Sequence, residues 1–146
     1  MKNLRLYIPL LFLVPLFSVY SGEINTTLFG KLAIKGYDPV SYFTQSKPMK
    51  GKKAFQLEWK GATWRCSTKE NLHTFKTSPE KYAPQYGGYC AWAVSQGKTA
   101  DVDPKQWTIE NGKLYLNYNA DVQKKWLLDK TTLIQQADKK WPDLKN

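Results

Sequence analysis

The sequence predicts a small single domain of the α+β class, in which β-hairpins pack with short helices. The chain has 146 residues, a length that suits one domain. At two places in the chain, a pair of strand-like segments flanks a tight-turn signal. This pattern predicts two hairpins. The C-terminal segment instead places apolar residues at helical spacing. Strand and helix signals are therefore mixed along the chain, which is typical of α+β domains.

Residues 1–21 have the features of a secretory signal peptide. Two basic residues precede an apolar run from 6 to 20, and Val19 and Ser21 stand at −3 and −1 before Gly22. The run is shorter than the roughly 20 residues that cross a bilayer, although an uncleaved anchor is the alternative. We expect a protein exported to the periplasm or outside the cell. Removal of the two basic residues would lower the net charge from +10 to +8.

The exported domain is expected to begin with a turn, a short helix and a lysine-rich loop. Residues 36–39 read Gly-Tyr-Asp-Pro, which favours a turn. The apolar residues at 40, 42 and 43 then give a short helix one apolar face. The loop from 46 to 53 carries four lysines.

A first hairpin and a helix are predicted next. Residues 55–59 and 62–66 each alternate apolar and polar side chains and are expected to pair across a two-residue turn. Ser67 with Glu70 three residues later forms a capping-box pattern, which predicts that a helix begins there. Pro79 is expected to end it.

The second half of the domain is predicted to contain further short helices and a second hairpin. Residues 79–83 suit one helical turn, and 89–95 form a compact apolar segment after two glycines. An Asn-Gly pair at 111–112, flanked by apolar segments, is a strong hairpin signal. Residues 120–128 and 131–141 have helical spacing, with Trp126 among the residues expected to face inward.

Composition excludes several kinds of site. Two cysteines are too few for a disulfide scaffold or a four-cysteine zinc site, and His73 alone excludes a His-rich metal centre. We expect His73 at the surface. Asp38, Asp101 and Asp103 do not form a calcium-loop pattern, and the Asp-Pro pairs at 38 and 103 favour turns or helix starts. No nucleotide-binding or nucleophile-elbow motif is present in the sequence.

Several segments resemble the YHS domain family. They are Gly36-Tyr37-Asp38-Pro39-Val40, Trp59-Lys60-Gly61-Ala62-Thr63-Trp64, Ser67 to Phe75 and Pro79-Glu80-Lys81-Tyr82. The continuation through Gly87-Gly88-Tyr89-Cys90-Ala91, with the hairpin around 111–112, is similar to a longer form found in small exported bacterial proteins. The resemblance implies a YHS-type domain over 22–146, with a core at about 31–128 and a C-terminal helical tail at 129–146.

The resemblance also implies a link to metals, because YHS domains are associated with copper-transporting ATPases and hydroxylase subunits. In the metal-linked form one cysteine follows the Asp-Pro-Val segment, and two more lie four residues apart at a helix start. Here those three positions are Ser41, Ser67 and Asn71, whose hydroxyl and amide groups are poor ligands for copper(I). A copper site is therefore not expected, whereas another metal ion stays open, with Cys90 as its candidate ligand.

Cys90 follows two glycines and precedes a predicted helix, and three interpretations of it remain open. It could be a buried and inert thiol, since free cysteine is often buried. It could form a disulfide with Cys66, as exported proteins often do. It could also be a reactive or metal-binding thiolate near a helix N-terminus. Cys66 itself is expected in a core position at the end of its strand.

A ligand pocket is predicted around the glycine- and aromatic-rich segment that contains Cys90. Glycine lets a backbone approach a ligand closely, and aromatic side chains can line its site. The candidate ligand-binding residues are Tyr86, Gly87, Gly88, Tyr89, Cys90, Trp92 and Asp38.

These observations predict an exported, non-catalytic, monomeric binding protein for a metal ion or a small ligand. One alternative is a thiol-dependent enzyme that uses Cys90 as its nucleophile. Another is a basic module that binds the anionic surface of the cell envelope. Nucleic acid is not an expected partner, because Arg65 is the only arginine after residue 21 and base recognition favours arginine.

Overall fold

The computed structural model describes residues 22–146, which form a small α+β domain. The predicted signal peptide at 1–21 lies outside the described residues. Two antiparallel hairpins are present, each with its own two-stranded sheet. The strands are β1 (Gln56–Trp59), β2 (Ala62–Arg65), β3 (Asp103–Glu110) and β4 (Lys113–Asn117). The helices are α1 (Ser41–Thr44), α2 (Lys69–Thr77), α3 (Pro79–Tyr82), α4 (Ala91–Ser95), α5 (Ala120–Leu128) and α6 (Lys130–Leu144). Short 3₁₀ turns lie at Ile34–Gly36 and Gln85–Gly88.

The first hairpin forms where the alternation predicts it. Leu57 pairs with Trp64 across β1 and β2. The two turn residues, Lys60 and Gly61, have φ angles of 50° and 71°, which suit a two-residue turn with the twist of the flanking strands. Cys66, just after β2, is fully buried, which confirms its predicted core position.

The N-cap of helix α2 lies one residue later than the capping-box pattern predicts, so that prediction was wrong in its details. The N-cap is Thr68, whose Oγ1 accepts a hydrogen bond from Asn71 N at 3.0 Å. The side chain of Ser67 is not available for capping, because it donates to Asp38 Oδ2 at 2.6 Å. The helix ends before Pro79, as predicted, and Pro79 begins α3.

The second hairpin confirms the Asn-Gly signal, and of the two alternatives predicted at Asp103 the structure has the turn. Asn111 and Gly112 both have positive φ, 50° and 72°, as a type I′ turn requires. Asp103 begins strand β3 rather than a helix, and its Oδ1 accepts from Lys105 N at 3.0 Å. The pairing register of β3 with β4 shifts between Asp103 and Trp107. The turn at Asp103 therefore makes the start of the strand irregular.

Two groups of buried side chains form the core. The first lies between the hairpins and α2, and includes Trp64 and Phe75, whose ring centroids are 5.0 Å apart. The second lies beneath α5 and α6, where Trp126 is fully buried and its ring packs 5.3 Å from that of Tyr115. The C-terminal helices therefore cover the second group of core residues. Within 22–146, no helix combines the length and apolar character needed to cross a membrane.

Candidate functional site

Asp38 is a fully buried carboxylate that caps the first helix. Its Oδ1 accepts hydrogen bonds from Val40 N at 2.8 Å and from Ser41 N at 3.3 Å. This is the turn chemistry that the Asp-Pro pair predicts. The carboxylate is closed to solvent. Asp38 therefore does not face a ligand site, although the sequence places it among the ligand-binding candidates.

The second oxygen of Asp38 binds two of the positions at which the metal-linked YHS pattern has cysteine. Oδ2 accepts from Ser67 N at 2.8 Å, from Ser67 Oγ at 2.6 Å and from Asn71 Nδ2 at 2.7 Å. The third position, Ser41, places its Oγ 2.8 Å from the carbonyl oxygen of Asp38. The three positions do come together in space, but they surround a carboxylate.

This cluster joins the turn before α1 to the start of α2. Its hydroxyl and amide groups are used as hydrogen-bond donors, as a buried carboxylate requires. Burial, together with the charge and hydrogen bonding of Asp38, raises the pKa of the neighbouring Cys66 thiol to about 12. Cys66 therefore stays protonated at neutral pH. We conclude that the Asp38 cluster (Asp38, Ser41, Cys66, Ser67 and Asn71) stabilises the fold.

Gly87, the first glycine of the predicted pocket, makes room for another part of the chain. Gly87 has φ of +61°, and a Cβ at this position would overlap the carbonyl oxygen of Glu23. Asn25 N donates to Gly87 O at 2.8 Å, and Asn25 Nδ2 lies 3.4 Å from Gly88 O. The close approach predicted for a ligand is therefore occupied by the segment 22–25.

Tyr86 and Tyr89 hold both ends of the described chain against the domain. Tyr86 Oη donates to Asp138 Oδ1 at 2.8 Å, and Tyr89 Oη donates to Gly22 O at 3.0 Å. Both rings pack against Trp141, at 6.0 and 5.9 Å between centroids. Burial, with the hydrogen bond to Asp138, raises the pKa of Tyr86 far above its usual value. Tyr86 and Gly87 also line a cavity of about 210 Å³ beside segment 22–25.

Cys90 and Trp92 line a different pocket, which we call the Cys90 pocket. Its volume is about 270 Å³. It is lined by Cys90, Trp92, Ala93, Lys98, Ala100, Tyr118 and Val122. Cys90 is 1% exposed and Tyr118 is 53% exposed, so the thiol lies at the floor and the tyrosine at the rim. The single contiguous site expected from residues 86–92 is therefore divided between two cavities.

A buried polar chain fixes the floor of the Cys90 pocket. The Cys90 Sγ donates to Asn117 Oδ1 at 3.5 Å, and the same oxygen accepts from Trp92 N at 3.1 Å. Asn117 Nδ2 then donates to Gln123 Oε1 at 2.6 Å, and Gln123 Nε2 donates to Thr108 Oγ1 at 2.7 Å. Each group in this chain has a partner, so the Cys90 side chain is held from behind the pocket by a satisfied hydrogen-bond network.

The Cys90 thiol is protonated at neutral pH. Burial raises its pKa, and the backbone N–H groups of Ala93, Tyr118 and Trp92 lower it only in part. Cys90 and Cys66 are both free and buried, so the expected disulfide alternative is not observed. Cys66 neighbours Asp38, whereas the Cys90 thiol donates to Asn117.

The remaining expectations concern histidine, aspartate and metal ligands. His73 is exposed on α2, as predicted. Asp101 forms an exposed ion pair with Lys35 at 3.0 Å. Burial would raise the Asp101 pKa, but hydrogen bonds from Asn25 and Val102 N, together with Lys35, lower it. Over residues 22–146, no three His, Cys, Asp or Glu side chains gather as a metal site would require. Among these residues, Cys90 therefore does not belong to a group of three metal-ligating side chains.

Besides Ala93, which directly follows the predicted Trp92 on α4, four residues of the Cys90 pocket were not predicted: Lys98, Ala100, Tyr118 and Val122. Tyr118 was recognisable only as an aromatic residue directly after a predicted strand. The other three carry no local signal, because the chain brings them together from the α4–β3 connection and from α5.

Thiol labelling is expected to distinguish the two cysteines. With a small uncharged reagent at pH 8, both should react far more slowly than an exposed thiol, because their pKa values are raised. Cys90 should react before Cys66, since it lines a pocket. Two thiols per chain should appear after denaturation without a reductant. Finding none would establish a disulfide and contradict the structure.

Comparison of the chain with models of protein families, with curated proteins and with solved structures finds no match.

Proposed function

We propose that this protein is an exported, non-catalytic binding protein of the YHS type, and that a small, largely apolar molecule binds in the Cys90 pocket. The observation behind the proposal is the pocket itself, which combines a largely apolar lining, two aromatic side chains and a buried thiol that donates to Asn117. This combination is typical of ligand sites. The signal-peptide features of residues 1–21 and the YHS-like segments support the remainder of the proposal.

The size and lining of the pocket favour one aromatic ring or a short apolar chain. Its volume of about 270 Å³ lies just below the usual range for drug-sized ligands, about 300–1,000 Å³. Trp92 and Tyr118 contribute aromatic surface, and Ala93, Ala100 and Val122 contribute small aliphatic surfaces. Lys98 is the one charged side chain in the lining.

The chemistry of Cys90 favours binding over catalysis. A nucleophilic cysteine needs a thiolate, which a lowered pKa or an adjacent base supplies. Here burial raises the pKa, and the thiol donates to an amide oxygen of Asn117. A metal ion would need further ligands, and the side chains nearest the thiol are apolar or amide groups.

The proposal can be tested by NMR titration with p-cresol, a single-ring probe that fits the pocket. We expect saturable shifts of the Trp92 indole N–H and of the amides of Ala100 and Tyr118. Ala100→Phe should fill the pocket and abolish these shifts. Ala54→Phe makes the same change at an exposed site and should preserve them. Ribose, a polar probe of similar size, should produce none. Unsaturable shifts, or shifts that survive Ala100→Phe, would refute the proposal.

Tyr118→Ala is expected to weaken p-cresol binding about 2- to 10-fold, because one aromatic contact contributes about 0.5–1.5 kcal/mol. The ring is 53% exposed, so the free energy of unfolding should change little. The dissociation constant from the same titration measures the effect, and chemical unfolding provides the control. An unchanged dissociation constant would show that Tyr118 does not form part of the site.

A further inference from the structure

Two large apolar side chains are exposed side by side at the tip of a tight turn. Leu28 is 88% exposed and Phe29 is 85% exposed. They lie in the connection between Thr26 and Ala33, which pair as an antiparallel bridge. Isolated apolar side chains are common on protein surfaces, but an adjacent pair at a projecting tip is less easily explained by chance. Packing within the domain does not account for either residue.

The turn, residues 27–32, is closed by hydrogen bonds between its two ends. Thr27 N donates to Leu32 O at 3.0 Å. The Thr27 hydroxyl donates to Phe29 O at 2.6 Å and accepts from Leu32 N at 3.0 Å. Internal pairing of this kind lowers the free-energy cost of moving a backbone out of water into an apolar medium. The bonds that close the turn therefore need not break when the tip contacts lipid.

The base of the turn is fixed to the first hairpin. Thr63 N donates to Lys31 O at 2.9 Å, and Ala33 N donates to Thr63 O at 3.0 Å. The backbone on the C-terminal side of the tip thus runs beside β2. Leu28 and Phe29 are presented on a supported projection, so little conformational freedom would be lost on insertion.

Positive charge lies next to the apolar tip. Lys31 is exposed, and no ion pair to it is seen in the described part of the chain. Lys60 occupies the turn of the adjacent hairpin and pairs with Glu23 at 2.9 Å. The chain as a whole carries +10, or +8 without the two basic residues before position 22. An apolar tip flanked by lysine complements an anionic lipid surface.

We propose that turn 27–32 inserts Leu28 and Phe29 into the surface of an anionic phospholipid bilayer, with Lys31 among the headgroups. This peripheral binding is independent of the Cys90 pocket. Apolar burial supplies affinity, and the lysine supplies preference for anionic over zwitterionic lipid. Binding should therefore decrease with added salt without disappearing.

Flotation with phosphatidylglycerol-containing vesicles tests the proposal, with phosphatidylcholine vesicles for comparison. The protein is purified after export, and mass spectrometry verifies the same N-terminus in every variant. The double variant L28S/F29S should bind at least about 10-fold more weakly, because it removes two large apolar side chains. Lys31→Gln should weaken binding to the anionic vesicles about 5-fold and leave binding to phosphatidylcholine unchanged.

Leu128→Ser is the matched control, because Leu128 is 87% exposed but lies at the end of α5. It should bind like the wild type. Equal binding by L28S/F29S and wild type, or no binding of wild type to the anionic vesicles, would overturn the proposal. So would self-association in solution that L28S/F29S abolishes, since the turn would then bind a second copy of the chain.

Discussion

Replacing Asp38 by Asn is expected to lower the free energy of unfolding by about 3 kcal/mol or more, although the side chain keeps its size. Oδ2 of Asp38 accepts from Ser67 N, Ser67 Oγ and Asn71 Nδ2. An amide cannot accept all of these bonds and also those from Val40 N and Ser41 N at Oδ1. Whichever way the new NH₂ points, it faces N–H groups, and buried donors lose their partners.

Urea unfolding, followed by tryptophan fluorescence and by circular dichroism, measures this effect. Asp143→Asn makes the same chemical change at an exposed position of α6 and should alter stability by less than about 0.5 kcal/mol. Ser67→Ala removes one donor and should cost about 1–2 kcal/mol, less than Asp38→Asn. A loss below about 1 kcal/mol for Asp38→Asn would contradict a carboxylate that organises the cluster.

Gly87→Ala is expected to destabilise the protein by about 3 kcal/mol or more and to detach segment 22–25. Two effects combine at this position. An L-residue at φ of +61° costs about 1–2 kcal/mol, and the added Cβ overlaps the carbonyl oxygen of Glu23. Because that contact is with backbone rather than a flexible side chain, only displacement of the segment relieves it.

Gly61→Ala separates the two effects. Gly61 has φ of +71°, but a Cβ there meets no atom within 4 Å. Gly61→Ala should therefore lower the free energy of unfolding by only about 1–2 kcal/mol. The exchange of the Asn25 amide proton should stay slow in this variant. In Gly87→Ala that proton, which bonds Gly87 O at 2.8 Å in the wild type, should exchange rapidly. Similar stability and exchange in the two variants would show that segment 22–25 does not depend on Gly87.

The regular parts of the fold could be predicted because their signals are local. An Asn-Gly pair at 111–112 dictates its own turn, and the flanking strands pair directly from Glu110 and Lys113. Helix α2 was predicted with the wrong cap, since Ser67 and Thr68 are both good N-cap residues. The choice between them depends on Asp38, which is 29 positions away from Ser67 in sequence.

The candidate site was less predictable, because it depends on contacts between distant segments. The residues from Tyr86 to Trp92 were expected to form one pocket. Tyr86 and Gly87 both adopt positive φ, 58° and 61°, and the following residues contact other parts of the domain. The sequence identified Ser41, Ser67 and Asn71 as the cysteine positions of the metal-linked YHS pattern, but it could not show that Asp38 binds Ser67 and Asn71 through its carboxylate.

The position of bound p-cresol in the wild-type protein, measured by intermolecular nuclear Overhauser effects, directly tests the claim that a small apolar molecule binds in the Cys90 pocket. We expect contacts between the probe's ring and methyl protons and the side chains of Trp92, Tyr118 and Val122. Contacts with residues of the other cavity, such as Tyr86 and Trp59, would contradict the claim. So would the absence of any contact at a p-cresol concentration well above the dissociation constant expected for a weak fragment, about 1 mM.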